Sequence, residues 1–256
     1  WQRESHFFES EASREDRLGT TEHPMLGHRL RTAGQIWETE VNDPSFPYLQ
    51  DHRIEDAIIF PGAGYIEIGL ALDRALIGER PTVLEEVAFH RALILDDKET
   101  HILQIELDEK DHTFSITGTT EGERSNWTVH ATGHLLQGIL EESSEPLDMD
   151  ALRARCSQPL EVEAQYQELE NRGHQYGAEF RRALQIWKGN DEALAEIDCQ
   201  GLEDGYRLHP AVLDTAFQAL IAPLDKRKML DVYMPVGIDR VQFYKTPVSA
   251  IWTYAR

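Results

Sequence analysis

From Ala63 to Ile77 nearly every residue is apolar or small, interrupted by Glu67, Asp73 and Arg74. A helix that is apolar on almost every side is buried on almost every side. This one is too short to cross a bilayer, so it belongs inside a protein core. Pro61 opens it, at a position in the first turn where a missing N–H is no loss, and Gly78 closes it. Gly62, Gly64 and Gly69 would let other backbone pass close to the helix. Ahead of it stand the pair Asp51-His52 and an apolar run. The expectation is a central helix wrapped by sheet, with one histidine just before it.

The flanking segments read as that sheet. Gln35–Val41 and His52–Phe60 are strand-like, separated by a turn-rich stretch with two prolines. After the helix come Thr82–Leu95, His101–Leu107, Thr113–Thr119 and Trp127–Leu136. The last alternates with period two, placing Trp127, Val129, Ala131 and Gly133 on one face. Residues 1–22 are polar and charged and read as an arm or linker. The stretch from Gly138 to about Gln158 is acidic with Ser and Pro, a connector between two units spanning 23–138 and 159–256. Beyond it, Glu161–Asn171 is helical, and Phe180–Trp187 and Ala193–Asp198 are strands.

The second unit partly echoes the first. A proline, Pro210, again follows an apolar strand and introduces a buried helix, AVLDTAFQALIA, ending before Pro223. A weak internal repeat of this kind argues for two tandem copies of one unit. The second copy is shorter after its helix, and two strands are expected to be missing from it. On the second helix Asp214 and Gln218 are four residues apart and share a face. A carboxylate on an otherwise apolar helix must be paired or used. His209, just before Pro210, suits a capping role.

Composition narrows the function. With 46 acidic against 25 basic residues, the chain is a poor partner for nucleic acid, which demands a basic face. There is no apolar run of about 18 residues and no signal peptide, so neither a membrane span nor secretion is expected. Cys156 and Cys199 form no motif and suit free thiols in a reducing cytoplasm. His130 and His134 have an HxxxH spacing, but on a strand, without the helical geometry of zinc motifs, so no metal is expected.

His52, Pro61 and the PGAGY run at Pro61–Tyr65 resemble the HxxxGxxxxP motif of dehydratase domains in modular polyketide synthases, with Asp56 where the motif has glycine. HPMLG (His23–Gly27), YGAEF (Tyr176–Phe180), HPAVLDTAFQ (His209–Gln218) and PVGIDRVQFY (Pro235–Tyr244) are similar to that family too, and in the same order. The resemblance implies an α+β double hotdog, two long central helices each wrapped by an antiparallel sheet. It implies a catalytic histidine at His52 and a catalytic acid at Asp214, with Gln218 holding the carboxylate. Tyr176 and Gly177 match the family's YGP run in the substrate tunnel, with Ala178 in place of proline. Pro235, Val236 and Gly237 match tunnel lining, and HPMLG matches a dimer-forming edge strand.

The implied reaction removes water from a β-hydroxyacyl thioester, giving the α,β-unsaturated thioester during chain extension. It needs a base for the α-proton, which an imidazole near neutral pKa suits. It also needs an acid for the departing hydroxyl, which a carboxyl kept protonated by apolar surroundings suits. The helix N-terminus at Pro61, Gly62 and Ala63 could direct N–H groups at the thioester oxygen. No cofactor is implied beyond the phosphopantetheine arm of an acyl carrier protein that carries the substrate. The implied partners are that carrier, the other synthase domains and a second copy of the chain. Lys226-Arg227-Lys228 is the densest basic cluster available for docking an acidic carrier. Asp56 and Ala178 leave a double-bond isomerase, an oxygen-ring-forming cyclase and a silent dimerising scaffold open as alternatives.

Overall fold

A computed structural model describes residues 21, 23–42, 44–96, 99–123, 125–136, 147–219, 221 and 234–256. Most of the N-terminal arm, residues 139–146 of the connector and the Lys226–Lys228 cluster lie outside the described residues. The first half runs β1 (His28–Arg29), β2 (Gln35–Val41), β3 (His52–Ile54), β4 (Ala57–Ile59) and helix α1 (Gly62–Ile77). It continues with β5 (Thr82–Phe89), β6 (Ile94–Leu95), β7 (His101–Leu107), β8 (Thr113–Thr120) and β9 (Thr128–Leu136). The second half runs α2 (Met149–Arg155), β10 (Gln158–Leu160), α3 (Val162–Glu170), β11 (His174–Tyr176), β12 (Ala183–Lys188) and β13 (Ala193–Ile197). It ends with α4 (Pro210–Ala219), β14 (Gly237–Phe243) and β15 (Ile251–Ala255).

α1 is the core helix its composition demands, with every residue from Ala63 to Asp73 buried. Pro61 sits one residue ahead of the helix in extended conformation, and Gly78 ends it at φ 92° with its N–H on Arg74 O. The glycines admit side chains rather than backbone. A Cβ on Gly64 would lie 2.6 Å from the Phe60 ring, and one on Gly69 would press on Leu84 and Phe114. A seven-stranded sheet, ordered β1-β2-β7-β8-β9-β5-β14, packs on α1. α4 packs on a four-stranded sheet, ordered β10-β12-β13-β15. All the pairings are antiparallel, and β14 from the second half closes the large sheet beside β5.

Several expectations are corrected. The single strand expected over 52–60 is a hairpin of β3 and β4, whose turn is Glu55-Asp56 with φ of 48° and 68°. Positive φ at both central residues of a two-residue loop is the type I′ geometry, so the motif's glycine position is a turn position. The strand expected over 82–95 breaks after Phe89, and Ile94–Leu95 joins a small sheet ordered β11-β3-β4-β6. A bulge in β9 opposite Ile116/Thr117 resets its alternation. Trp127 and Val129 are consequently exposed, whereas Ala131 and Leu135 are buried. HPMLG is not an edge strand. It is a turn closed by Gly27 N–H on His23 O, with Met25 and Leu26 buried, and the edge strand is β1. Within the stretch expected as connector, α2 forms with Asp148 accepting from Asp150 N–H and Ala151 N–H.

His209 caps α4, its Nδ1 accepting from Ala211 N–H at 3.2 Å. Its ring lies 4.7 Å from that of Tyr48 and 4.5 Å from that of Tyr206. Burial, with Arg182 adding to it, holds the imidazole down at about 3. The unfolded chain takes up a proton near pH 6.5 that the folded chain refuses until about pH 3. Stability from this group is therefore complete above pH 6.5 and declines as pH falls toward 3, by up to about 1.4 kcal/mol per pH unit. Urea midpoints measured between pH 7 and pH 4 should fall. The fall should be shallower in His209→Asn, which keeps a capping oxygen without an imidazole.

Candidate active site

The small sheet positions His52. It is the first residue of β3, and its Nδ1 donates to Ile59 O, across the hairpin, at 2.7 Å. A carbonyl only accepts, so Nδ1 carries a proton, and in the neutral form of the ring Nε2 presents a lone pair. Nε2 faces Asp214 Oδ1 across 3.6 Å, beyond hydrogen-bond range. The other carboxylate oxygen, Oδ2, accepts from Gln218 Nε2 at 3.0 Å, one turn along α4. Gln218 Nε2 also donates to Phe180 O at 3.1 Å, which fixes the amide and through it the carboxylate. His52 and Asp214 are both buried.

The pair forms part of the wall of a cavity of about 520 Å³. Tyr176, Gly62, Gln218, Pro235, Val236 and Gly237 line the same space. The Tyr176 ring centre is 5.5 Å from that of His52, and burial, followed by the Asp214 charge, pushes its hydroxyl pKa far up. Much of the remaining wall is apolar, with Phe60, Phe89, Phe217, Ile54 and Ile59. Three expected residues stand behind the wall. Pro61 precedes α1, and Ala63 is fully buried beneath Gly62. Gly177 donates its N–H to Asp51 O, and a Cβ there would meet the Asp51 carboxyl at 2.3 Å. It lets Asp51 Oδ2 reach Glu179 N–H at 2.9 Å and so sets the turn after Tyr176.

Residue spacing alone did not flag Tyr65 or His174 as wall residues. Tyr65 is three positions along the helix from Gly62, and His174 two positions along a strand from Tyr176. Helical and strand periods applied to the expected residues would have found both. The Tyr65 hydroxyl, His174 Nδ1 and Gln218 Oε1 are buried atoms without a hydrogen-bond partner. His130 and His134 have separate partners, Arg91 O for the first, Thr113 and Glu86 for the second. Among the described residues no cluster of three or more His, Cys, Asp or Glu could hold a metal ion. No helix among them is long and apolar enough to cross a membrane.

Two family descriptions match the chain. The polyketide synthase dehydratase domain matches residues 23–120, and the polyketide synthase dehydratase N-terminal domain matches residues 144–256. The chain belongs to the polyketide synthase dehydratase domains. This dehydratase domain is 28% identical over 244 residues to mycoketide-CoA synthase of Mycobacterium tuberculosis, covering 91% of the chain and 6% of that protein. It is 29% identical over 238 residues to a mycocerosic acid synthase-like polyketide synthase of the same organism, covering 87% of the chain and 11% of that protein. The chain thus spans about a tenth or less of these relatives. Among solved structures, the dehydratase domain from the CurK module of curacin polyketide synthase superposes with a TM-score of 0.80 at 29% identity, covering 91% of this chain and 85% of that one. The fold is accordingly a double hotdog, and the domain is a hydro-lyase by family.

Asp56, where the family motif has glycine, faces away from His52. Its Oδ1 accepts from Gln175 Nε2 and its N–H donates to Gln175 Oε1, both at 2.8 Å. Gln175 pairs with Arg53, on the side of the sheet opposite His52. Asp56→Gly should therefore leave the acidic limb of the kcat/KM profile against pH where it is in the unaltered domain. A limb displaced by half a pH unit or more would show that the carboxylate acts on the imidazole.

Proposed function

We propose that the domain dehydrates a β-hydroxyacyl chain carried on the phosphopantetheine arm of an acyl carrier protein, with His52 as base and Asp214 as acid. The observation that carries this reading is His52 Nε2 facing Asp214 Oδ1 across 3.6 Å in a largely apolar cavity. His52 takes the α-proton, and its electron pair passes into the thioester as an enolate. The enolate collapses to the α,β double bond as the β-carbon–oxygen bond breaks, and Asp214 protonates the departing hydroxyl to water. Proton transfer from His52 to Asp214 then restores both groups. Gln218 holds the carboxylate in place, and the N–H of Gly62 at the start of α1 stabilises the enolate oxygen. Tyr176 and Pro235–Gly237 contact the chain.

Two solved relatives support the assignment. They are inactive mutants of the CurK dehydratase, one with a histidine changed to phenylalanine and one with an aspartate changed to asparagine. The other synthase domains are the remaining partners, and a homodimer in the cytoplasm is the working form. Lys226-Arg227-Lys228 docks the acidic carrier. The test is to offer a β-hydroxyacyl carrier protein and weigh the product. Loss of one water supports dehydration. A dehydrated product whose double bond has moved off the α,β position, a later ring-closed isomer separable by chromatography, or no change would favour isomerase, cyclase or scaffold in turn.

A further inference from the structure

A second imidazole stands on the cavity wall. β3 and β11 pair with His52 opposite Tyr176 and Ile54 opposite His174. Alternate residues of a strand share a face. His52, Ile54, His174 and Tyr176 therefore form one surface, and all four line the cavity. His52 and His174 are diagonal neighbours on that ladder, about 7–8 Å apart at the backbone.

Dehydration has no use for His174, because base, acid and orienting amide are already supplied. Yet the side chain is 5% exposed, and its Nδ1 is sealed off without a partner. An orphaned buried N–H is rarer than an unused acceptor, so the ring hydrogen belongs on Nε2. Burial lowers the pKa of the ring, His52 and Arg172 lower it further, and Asp214 opposes them. The ring is thus a neutral donor. It lies 6.0 Å from the Tyr176 ring in a stacked arrangement that holds its plane.

We propose that His174 is a specificity-determining residue, which hydrogen-bonds an oxygen borne by the acyl chain beyond the β-carbon and so selects chains hydroxylated there. The inference rests on the dehydratase reading. With the α-carbon at His52, a chain running along the ladder carries its δ-carbon toward His174. The δ-carbon is three carbon–carbon bonds, about 4 Å, from the α-carbon, and the hydroxyl it bears with a hydrogen bond to the ring covers the rest of the diagonal separation.

The experiment compares β-hydroxyhexanoyl pantetheine with β,δ-dihydroxyhexanoyl pantetheine. The unaltered domain should favour the dihydroxy chain in kcat/KM by roughly three- to tenfold, the range of one hydrogen bond, mainly through KM. His174→Leu should reduce the ratio to one or below, with the loss falling mainly on KM for the dihydroxy chain. His174→Asn, which keeps a donor, should retain part of the preference. If His174→Leu does not fold, His174→Met takes its place, an adaptable apolar side chain of similar length. No preference in the unaltered domain, or a ratio that the apolar variant leaves intact, overturns the inference alone. Dehydration of neither chain by the unaltered domain overturns the dehydratase reading and the inference together.

Discussion

His52→Ala and Asp214→Asn should each lower kcat for dehydration by about a hundred- to ten-thousandfold, the usual contribution of a positioned general acid or base. Neither substitute can exchange a proton near neutral pH. The two effects should not add, because base and acid serve one elimination and losing either stops it. The fold should survive both changes. In Asp214→Asn the new amide still offers an oxygen to Gln218 Nε2, which Phe180 O also holds. His52→Ala removes one hydrogen bond, to Ile59 O, beside an open cavity. Paired measurements of turnover and urea midpoint check this. Near-native turnover in either variant, with a normal unfolding transition, would remove that residue from the chemistry.

The second large effect concerns stability, at Glu67. This carboxylate is fully buried on α1. It accepts from His23 Nε2 at 2.8 Å, from Arg207 N–H at 2.5 Å and from Leu208 N–H at 2.8 Å. Glu67→Ala would leave those donors buried and unpaired, and should cost about 3–5 kcal/mol. Glu67→Gln should restore part of the loss, since its amide oxygen can keep the His23 and Arg207 bonds while its N–H₂ faces the Leu208 N–H. Arg207 and Leu208 lead directly into His209 and α4, so Glu67 ties the first helix to the helix that carries Asp214. Both variants should therefore lose turnover as well as stability. A loss below about 1 kcal/mol in Glu67→Ala would mean that water replaces the carboxylate and that the tie is dispensable.

Glu67 also shows what the sequence concealed. It reads as an interruption of an apolar helix, and nothing local announces that its partners lie at 23 and at 207–208. The same holds for the active pair, 162 positions apart by number, which only the family resemblance brought together. Local signals were legible where a physical rule acts at short range. Pro61 and Gly78 bracket α1, His209 caps α4, and Asp214 and Gln218 meet one turn apart. Where backbone geometry departed from period, the pattern misled. Glu55-Asp56 turns a hairpin without the glycine or asparagine that usually marks one, and the bulge in β9 reverses which residues face inward. Pairing across halves was invisible for another reason. β14 joins β5, and β11 joins β3, and neither choice is encoded near the strands themselves. Those pairings close the cavity, so its wall had to be seen in three dimensions even though its principal residues could be named.

The central claim is that the elimination of water takes its hydrogen from the α-carbon, with His52 accepting it. The direct measurement uses a β-hydroxyacyl pantetheine doubly deuterated at the α-carbon, with the product weighed by mass spectrometry. The account predicts loss of one deuterium together with the hydroxyl, a product retaining one deuterium, and formation of that product slowed by about a hundredfold or more in His52→Ala. A product that has lost ordinary water and kept both deuterium atoms, or a substrate returned unchanged by the unaltered domain, would contradict it.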